Sequence, residues 1–410
     1  MWEVIRANRR RSVVLISVMG TVLILAGMVV GMLFAGPRGW LFGGIIAFFI
    51  WLVLLAASIY GGDQVFLSSV GARKIEKSDH PTLYNIVEEM CVASGLSTIP
   101  DVYIVDDPRP NAFAVGRDPE HASVAVTTGL LNRLNRDEVQ GVVAHELAHI
   151  GNRDILYVTI AGVMVGVIAL LADIVVYSLW FGGGRTRSRS RSGGDRAQAV
   201  IMIVGLLFAI LGPITAQLLY FALSRKREYL ADACGAQYTR YPEGLASALE
   251  KISSGAQRTP QGQQRQNRAL APMYTINPLE VAGFAAHGLF STHPPTEKRI
   301  RILRGMAGAS LSDYEAAYEK VEKGMVIPKT ALKTARPVGA RPPSEQREDA
   351  PPEPGRKEKA RQTSDLLWRL NDYKFVSCGC GARLKLPPSF RAAQIRCPRC
   401  ERVNDVPGKA

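Results

Sequence analysis

Histidine and cysteine are scarce in this chain, with six of each in 410 residues. So few cysteines exclude a small disulfide-stapled secreted scaffold, in which bridges replace a core. Internal repeats are missing too, which argues against a solenoid or propeller. Acidic residues fall short of basic ones, 36 against 50, and the resulting charge of +14 gathers at a few places. An A-x-A-like cleavage site, which a signal peptide would carry, is not evident after the first apolar stretch.

What the chain does have is long apolar runs. Val13 to Ala35 and Trp40 to Tyr60 contain no charge, and each has about the twenty residues that a helix needs to cross a bilayer. The short turn Gly36-Pro37-Arg38-Gly39 would close them into a hairpin. Two later runs, Ile155 to Phe181 and Ala199 to Leu223, carry Asp173 and Gly212-Pro213. They are expected to form a second hydrophobic hairpin, either spanning or buried in the globular part. Arg6, Arg9, Arg10 and Arg11 precede the first run, while Arg185, Arg187, Arg189, Arg191 and Arg196 fill the loop of the second hairpin. Basic flanks favour the cytoplasmic side, and the N-terminal cluster usually dominates. The N-terminus and the globular part are therefore expected in the cytoplasm, with the arginine loop external or its hairpin not fully crossing.

Between the hairpins, Leu83, Ile86, Val87 and Met90 form one helical stripe. Three β-rich runs follow, Val102 to Val105, Ala112 to Val115 and Ser123 to Thr127. Asn135-Arg136-Asp137-Glu138 then fits a capping box, with Asn as cap and Glu three residues on. The helix it opens carries His145-Glu146-Leu147-Ala148-His149. Positions four apart share a helix face, so both imidazoles can bind one metal. Glu146 points beside that metal, where it can take a proton from the attacking water and return it to the leaving amine.

A catalytic zinc keeps three protein ligands. A third histidine at H-E-x-x-H-x-x-G-x-x-H spacing is missing, since Ile155 stands there. Glu228 is the best candidate for the third ligand. Asp232, one turn further on the same face, suits an acceptor for the far nitrogen of a ligand histidine. A Glu and Asp so spaced among arginines are otherwise an ordinary salt-bridging surface. His293 could contact an oxyanion or a substrate carbonyl. The preferred alternative is structural, with Pro294, Pro295 and Thr296 simply opening a helix over Glu297 to Arg304.

Taken together, His145-Glu146-x-x-His149 with Gly151-Asn152-x-Asp154, Glu228-x-x-Ala231-Asp232, Asn111-Ala112-Phe113-Ala114 and Ser291 through Arg299 resemble the HtpX family. Those are membrane zinc metalloproteases of the gluzincin type, related to the CaaX prenyl proteases. The resemblance covers about Met1 to Arg304. It implies a mainly α, α+β fold, a multi-pass membrane protein whose zincin-type domain joins the metal helix to a small β-sheet. It also implies Glu228 as third ligand, Glu146 as general base, and a role in quality control of misfolded or membrane proteins. Asn111, Ala112, Phe113 and Ala114 would form an edge strand beside the cleft, where an extended substrate can pair by main-chain hydrogen bonds. Prenyl-protein processing is the alternative substrate class, and a silent membrane scaffold the alternative outside enzymes.

The tail departs from that pattern. Cys378-Gly379-Cys380 and Cys397-Pro398-Arg399-Cys400 offer four thiolates in two close pairs, enough to close a structural zinc in a module resembling a zinc ribbon. Such a site suits a reducing cytosol, whereas Cys91 and Cys234 read as small buried hydrophobes. The expected organisation is a transmembrane hairpin over 1–62, protease segments over 63–154 and 224–325 separated by the 155–223 hairpin, a disordered linker over 326–365 with too few apolar residues to bury a core, and the ribbon over 366–410. Within the second protease segment, Ser253 to Met273 reads as a loop. The expected cofactors are one catalytic and one structural Zn²⁺. The expected partners are the bilayer and polypeptide substrates, not nucleic acid.

Overall fold

The computed structural model describes residues 2–156, 225–256, 294–344 and 355–406. Helices dominate these parts, with small sheets between them. The second hydrophobic hairpin, expected over 155–223, lies beyond Leu156 outside the described residues, as does His293.

Helices α1 (Trp2–Ala35) and α2 (Gly39–Ser69) form an antiparallel hairpin around Gly36, which takes φ +72°. Glycines let the two backbones touch. A Cβ on Gly31 would lie 2.3 Å from the carbonyl oxygen of Gly39, and one on Gly27 would lie 2.7 Å from that of Gly43. Among the described residues α2 is the one helix long and apolar enough to cross a membrane, and the apolar part of α1 is Ile16–Met32.

The sheet has the order β1-β2-β4-β3, built from Arg73–Lys74, Asp101–Val105, Ala112–Asp118 and His121–Thr127. Strand β2 runs parallel to β4, while β1/β2 and β3/β4 are antiparallel. Alternation along the strands builds a core on each face. Val102, Ile104, Ala112, Val124 and Val126 join the main helical core, whereas Tyr103, Val105, Phe113, Val115 and Ala125 enclose Phe66 and Leu67 of α2. Phe66 meets Phe113 edge to face at 5.0 Å. This contact fixes α2 to the sheet.

Against the sheet lie α3 (Pro81–Ser94), α4 (Thr128–Arg133) and α5 (Arg136–Gly151). Helix α5 opens on the expected capping box, Glu138 N donating to Asn135 Oδ1 at 2.8 Å and Asn135 N to Glu138 Oε2 at 2.8 Å. The helix described over 225–239 is α6, followed by α7 (Pro242–Ala256), α8 (Thr296–Arg304) and α9 (Leu311–Val321). Helix α7 runs a turn into the stretch expected as a loop from Ser253, because Ile252 still packs in the core.

The region expected to be a coreless linker over 326–365 is ordered where it is described. Ile327 and Ala331 of α10 (Lys329–Thr334) are buried in the main core. Residues 336–344 then run as a strap across the start of α5. Arg341 Nη2 donates to Asp137 Oδ1 and Gln140 Oε1, both at 2.7 Å, and Ser344 N donates to Asp137 Oδ2 at 2.7 Å. Helix α11 (Arg356–Leu370) docks by Thr363 on Asn132 and Lys359 on the Leu134 carbonyl. Isolated polar anchors hold these segments, so their low apolar content misleads. Beyond α11, hairpins β5/β6 (Lys374–Ser377, Arg383–Leu386) and β7/β8 (Gln394–Arg396, Val403–Asp405) share a small core of Val376, Leu384, Leu386, Cys378 and Cys397.

Burial raises the Asp137 pKa, but hydrogen bonds from Ser344 and Arg341 outweigh it and hold the carboxyl below its ordinary 3.8. The strap's contribution is then complete above about pH 4 and is lost as the pH falls through the lowered value. Arg341→Ala should cost about 2 kcal/mol at pH 7. In thermal unfolding of the purified protein the deficit should shrink towards pH 3, and an equal deficit at both pH values would contradict this account.

Candidate active site

Three elements converge beneath the sheet. Helix α5 presents His145, Glu146 and His149, α6 brings Glu228 and Asp232, and α8 brings Arg299. Helices α5 and α6 approach closely because α6 carries Gly235 at the crossing. A Cβ there would lie 3.2 Å from His145 N and 3.3 Å from His145 Cα. His145, Glu146, Glu228, Asp232, Asp154 and Arg299 are all buried, and His149 is nearly so.

The imidazoles turn their Nε2 atoms to one point. These atoms are 3.2 Å apart, and the Glu228 carboxylate faces both, Oε2 at 3.6 Å from His145 Nε2 and Oε1 at 3.5 Å from His149 Nε2. Ligands at about 2.1 Å in tetrahedral array have an edge of about 3.4 Å. The three observed separations match that edge, and two imidazoles with a carboxylate are a zinc donor set. The residues present therefore fit the metal.

Each opposite nitrogen faces a carboxylate. His145 Nδ1 lies 3.0 Å from Asp232 Oδ1, and His149 Nδ1 lies 3.1 Å from Asp154 Oδ2. A carboxylate at Nδ1 keeps the proton on that nitrogen and leaves Nε2 free as a ligand. Asp232 is itself gripped by Arg299, whose Nε and Nη2 donate at 2.8 and 2.6 Å. Arg299 Nη1 reaches to 3.7 Å from Glu228 Oε2 and has no hydrogen-bond partner among the described residues.

This ring of carboxylates favours positive charge at the imidazoles. Burial opposes charging of His149, yet Asp154, Glu228 and Glu146 raise its pKa to about 10. His145 is likewise raised, its burial outweighed by Asp232 and Glu228. For Asp232 burial works upward, and Arg299 with His145 brings the carboxyl below its ordinary value. A proton and a divalent cation are stabilised by the same field.

Sequence reasoning assigned no role to Arg299 or Asp154, although both stood within quoted motifs. Arg299 had a signal. It shares the buried stripe of α8 with Ile302 and Leu303, where a cation belongs only if something buried needs it. Asn111, Ala112, Phe113 and Ala114 lie at the start of β3, the last strand in sheet order, which packs beside α5.

The four tail cysteines also converge. Cys378 and Cys400 Sγ are 3.4 Å apart and Cys380 and Cys397 Sγ 3.7 Å, too far for a disulfide of about 2.05 Å. Tetrahedral thiolates at about 2.3 Å have an edge of about 3.8 Å. The Cys380 backbone N–H lowers the Cys378 pKa to about 6, favouring the thiolate.

Residues 77–307 match Peptidase family M48. A protease HtpX homolog of Dictyoglomus thermophilum is 43% identical over 305 residues, 74% of this chain and 94% of that protein. One from Dictyoglomus turgidum is 47% identical over 264 residues, 64% of this chain and 82% of that protein. One from Lactobacillus helveticus is 40% identical over 307 residues, 75% of this chain and its own full length. Among solved structures, S. mikatae Ste24p matches with TM-score 0.36 and 18% identity, covering 73% of this chain and 66% of that one. At that distance it supports no argument.

Removing either Nδ1 partner should weaken the site without deleting a donor. For Asp154→Asn and Asp232→Asn, zinc affinity measured by chelator competition should fall about 10- to 100-fold. Both variants and the wild type should bind less tightly as the pH falls, because protons compete for imidazoles of raised pKa. Affinities unchanged by both substitutions would rule out this arrangement.

Proposed function

The chain belongs to peptidase family M48 and is a metalloprotease, and from that footing we propose how its residues divide the work of peptide-bond hydrolysis. Support comes chiefly from one observation, the convergence of His145 Nε2, His149 Nε2 and the Glu228 carboxylate at separations that suit zinc. A zinc ion held there would polarise the scissile carbonyl and acidify a water beside it. Glu146 follows His145 on α5, so its carboxylate flanks the triad without completing it. It takes a proton from the attacking water as the oxygen bonds to the carbonyl carbon. It then gives that proton to the amine nitrogen as the C–N bond breaks. Asp232 and Asp154 hold the ligand tautomers, and Arg299 holds Asp232. Substrate main chain lies along Asn111 to Ala114, a strand beside α5 suited to sequence-tolerant pairing. His293 is kept as a possible contact for the developing oxyanion.

The relatives are named HtpX proteases, so the substrates proposed are misfolded or membrane polypeptides. The chain crosses the cell membrane more than once, with α1 and α2 as one hairpin, and its protease segments 63–154 and 224–325 face the cytoplasm. The arginines at 6–11 support that orientation. Two zinc ions are proposed. The second, on Cys378, Cys380, Cys397 and Cys400, closes a module of 366–410 too small to fold on apolar burial alone.

Glu146→Gln should reduce cleavage of an unfolded substrate by about 10²- to 10⁴-fold while zinc content stays unchanged. Turnover equal to wild type would sink the mechanism. Cys397→Ser should lower zinc from two equivalents to one while the α5 site keeps its ion. Two equivalents measured in that variant would remove the tail from the metal sites.

A further inference from the structure

The C-terminal module carries chemistry that the protease site does not use. From Leu366 to Val406 it has eight Lys and Arg against three Asp and Glu. In the β5/β6 hairpin Phe375 stands opposite Lys385 and Ser377 opposite Arg383, so all four share a face. Lys385 Nζ lies 5.2 Å from the Trp368 ring centre, and the Arg383 guanidinium 4.9 Å from that of Phe375. Tyr373 meets Trp368 edge-on at 4.6 Å, yet Trp368 keeps 39% of its surface exposed. Asp365 takes up part of the charge, at 2.7 Å from Arg383 and 3.5 Å from Lys385. The Arg369 guanidinium, 5.8 Å from the Phe375 ring centre, adds one more exposed cation, against one exposed acid at Asp372, whereas Lys374 pairs with Leu386 on the other side of the hairpin.

The position of this face is the second observation. Arg73 Nη1 donates to the Leu370 carbonyl at 3.0 Å and to Asn371 Oδ1 at 2.9 Å. Arg73 follows the end of α2 by four residues, a reach of at most about 14 Å. Close contacts of Gly31 with Gly39, Gly27 with Gly43 and Gly20 with Trp51 set the register of α1 against α2. That register puts the Arg6-to-Arg11 cluster beside the last three turns of α2. A basic cluster at the end of a spanning hairpin marks the side of the anionic leaflet. The exposed tryptophan and its lysine are therefore tethered a short distance from the headgroups on that side.

We propose that the Trp368–Phe375–Lys385 face of the C-terminal module docks on the anionic phospholipid headgroups of the membrane from which α2 emerges. The proposal rests on reading α1 and α2 as a bilayer-crossing hairpin. Ammonium and guanidinium groups bind phosphates, and an amphipathic indole sits at headgroup level. Nucleic acid is the less suitable occupant, since a single short hairpin offers no row of aromatic platforms for successive bases. The bilayer is held beside the face by the chain itself, at high effective concentration.

The full-length protein in lipid nanodiscs tests this by hydrogen exchange over 368–386. Exchange should be slower in phosphatidylcholine–phosphatidylglycerol discs than in phosphatidylcholine discs, and high salt should erase the difference. The Arg369→Gln/Lys385→Gln variant should lose roughly fivefold of that protection for each cation removed. Equal exchange of the wild type in both discs would overturn the proposal, as would protection that appears only on adding RNA or an acidic peptide. Should the variant exchange faster than wild type already in phosphatidylcholine discs, its fold is disturbed, and the wild-type comparison across lipid and salt decides alone. Alkaline carbonate extraction reports separately on whether α1 and α2 span.

Discussion

Two imidazoles held edge to face, with ring centres 4.8 Å apart, make sense only inside a shell of opposite charge. His145, Asp232 and Arg299 retain almost no contact with solvent, and burying any of them alone would cost several kcal/mol. The structure resolves this by pairing. Arg299 neutralises Asp232, Asp232 faces His145, Asp154 faces His149, and Glu228 stands between both rings. With zinc, the donor set carries two positive charges against one ligand carboxylate, and the outer acids balance the remainder. Taking one partner from such a ring leaves another stranded, so these positions depend on one another more than any pair of contacts suggests.

That dependence reaches into the fold. The ring needs α5, α6 and α8 at one point, and each helix shows the local feature that permits it. Helix α6 has Gly235 where it crosses His145. Helix α5 has Gly141, where a Cβ would come within 2.7 Å of Leu245 N, so α7 supports it from the other side. Helix α8 starts at Thr296 after two prolines and turns Arg299 inward with Ile302 and Leu303. Sheet and α2 then join through Phe66 and Phe113, so the peptidase core is continuous with that helix.

Local patterns made much of this legible in the sequence. The 3.6-residue stripe of α3, the Asn135 capping box and the β-rich runs of β2 to β4 all depend on neighbours within a turn or a strand. The His145–His149 pair is likewise local, and Glu228 could be named because family motifs fix its place. Arg299 and the strap were harder. Arg299 lies 67 residues from Asp232, and Arg341 lies 204 from Asp137. No periodicity links residues so far apart. The strap also shows why composition misjudged 326–365 as coreless. A segment can be ordered by one guanidinium and one serine seated in a buried carboxylate notch, with little apolar burial of its own.

The strap gives the metal helix a second fixed end. At its C-terminal end, Asp154 holds His149 just past the last turn. At its N-terminal end, Asp137 and Glu138 sit in the first turn, where acids complement the helix dipole. Two carboxylates there would repel each other if left without partners. Lys251 meets Glu138 at 2.7 Å and Arg341 meets Asp137 at 2.7 Å, one cation from inside the peptidase core and one from the tail. The tail is therefore more than a tether to the cysteine module. Through Arg341, and through Lys359 on the carbonyl just before the cap, it takes part in holding the helix on which both histidines depend. A disturbance that lifts 336–344 off α5 acts on the same rigid element that positions the zinc donors.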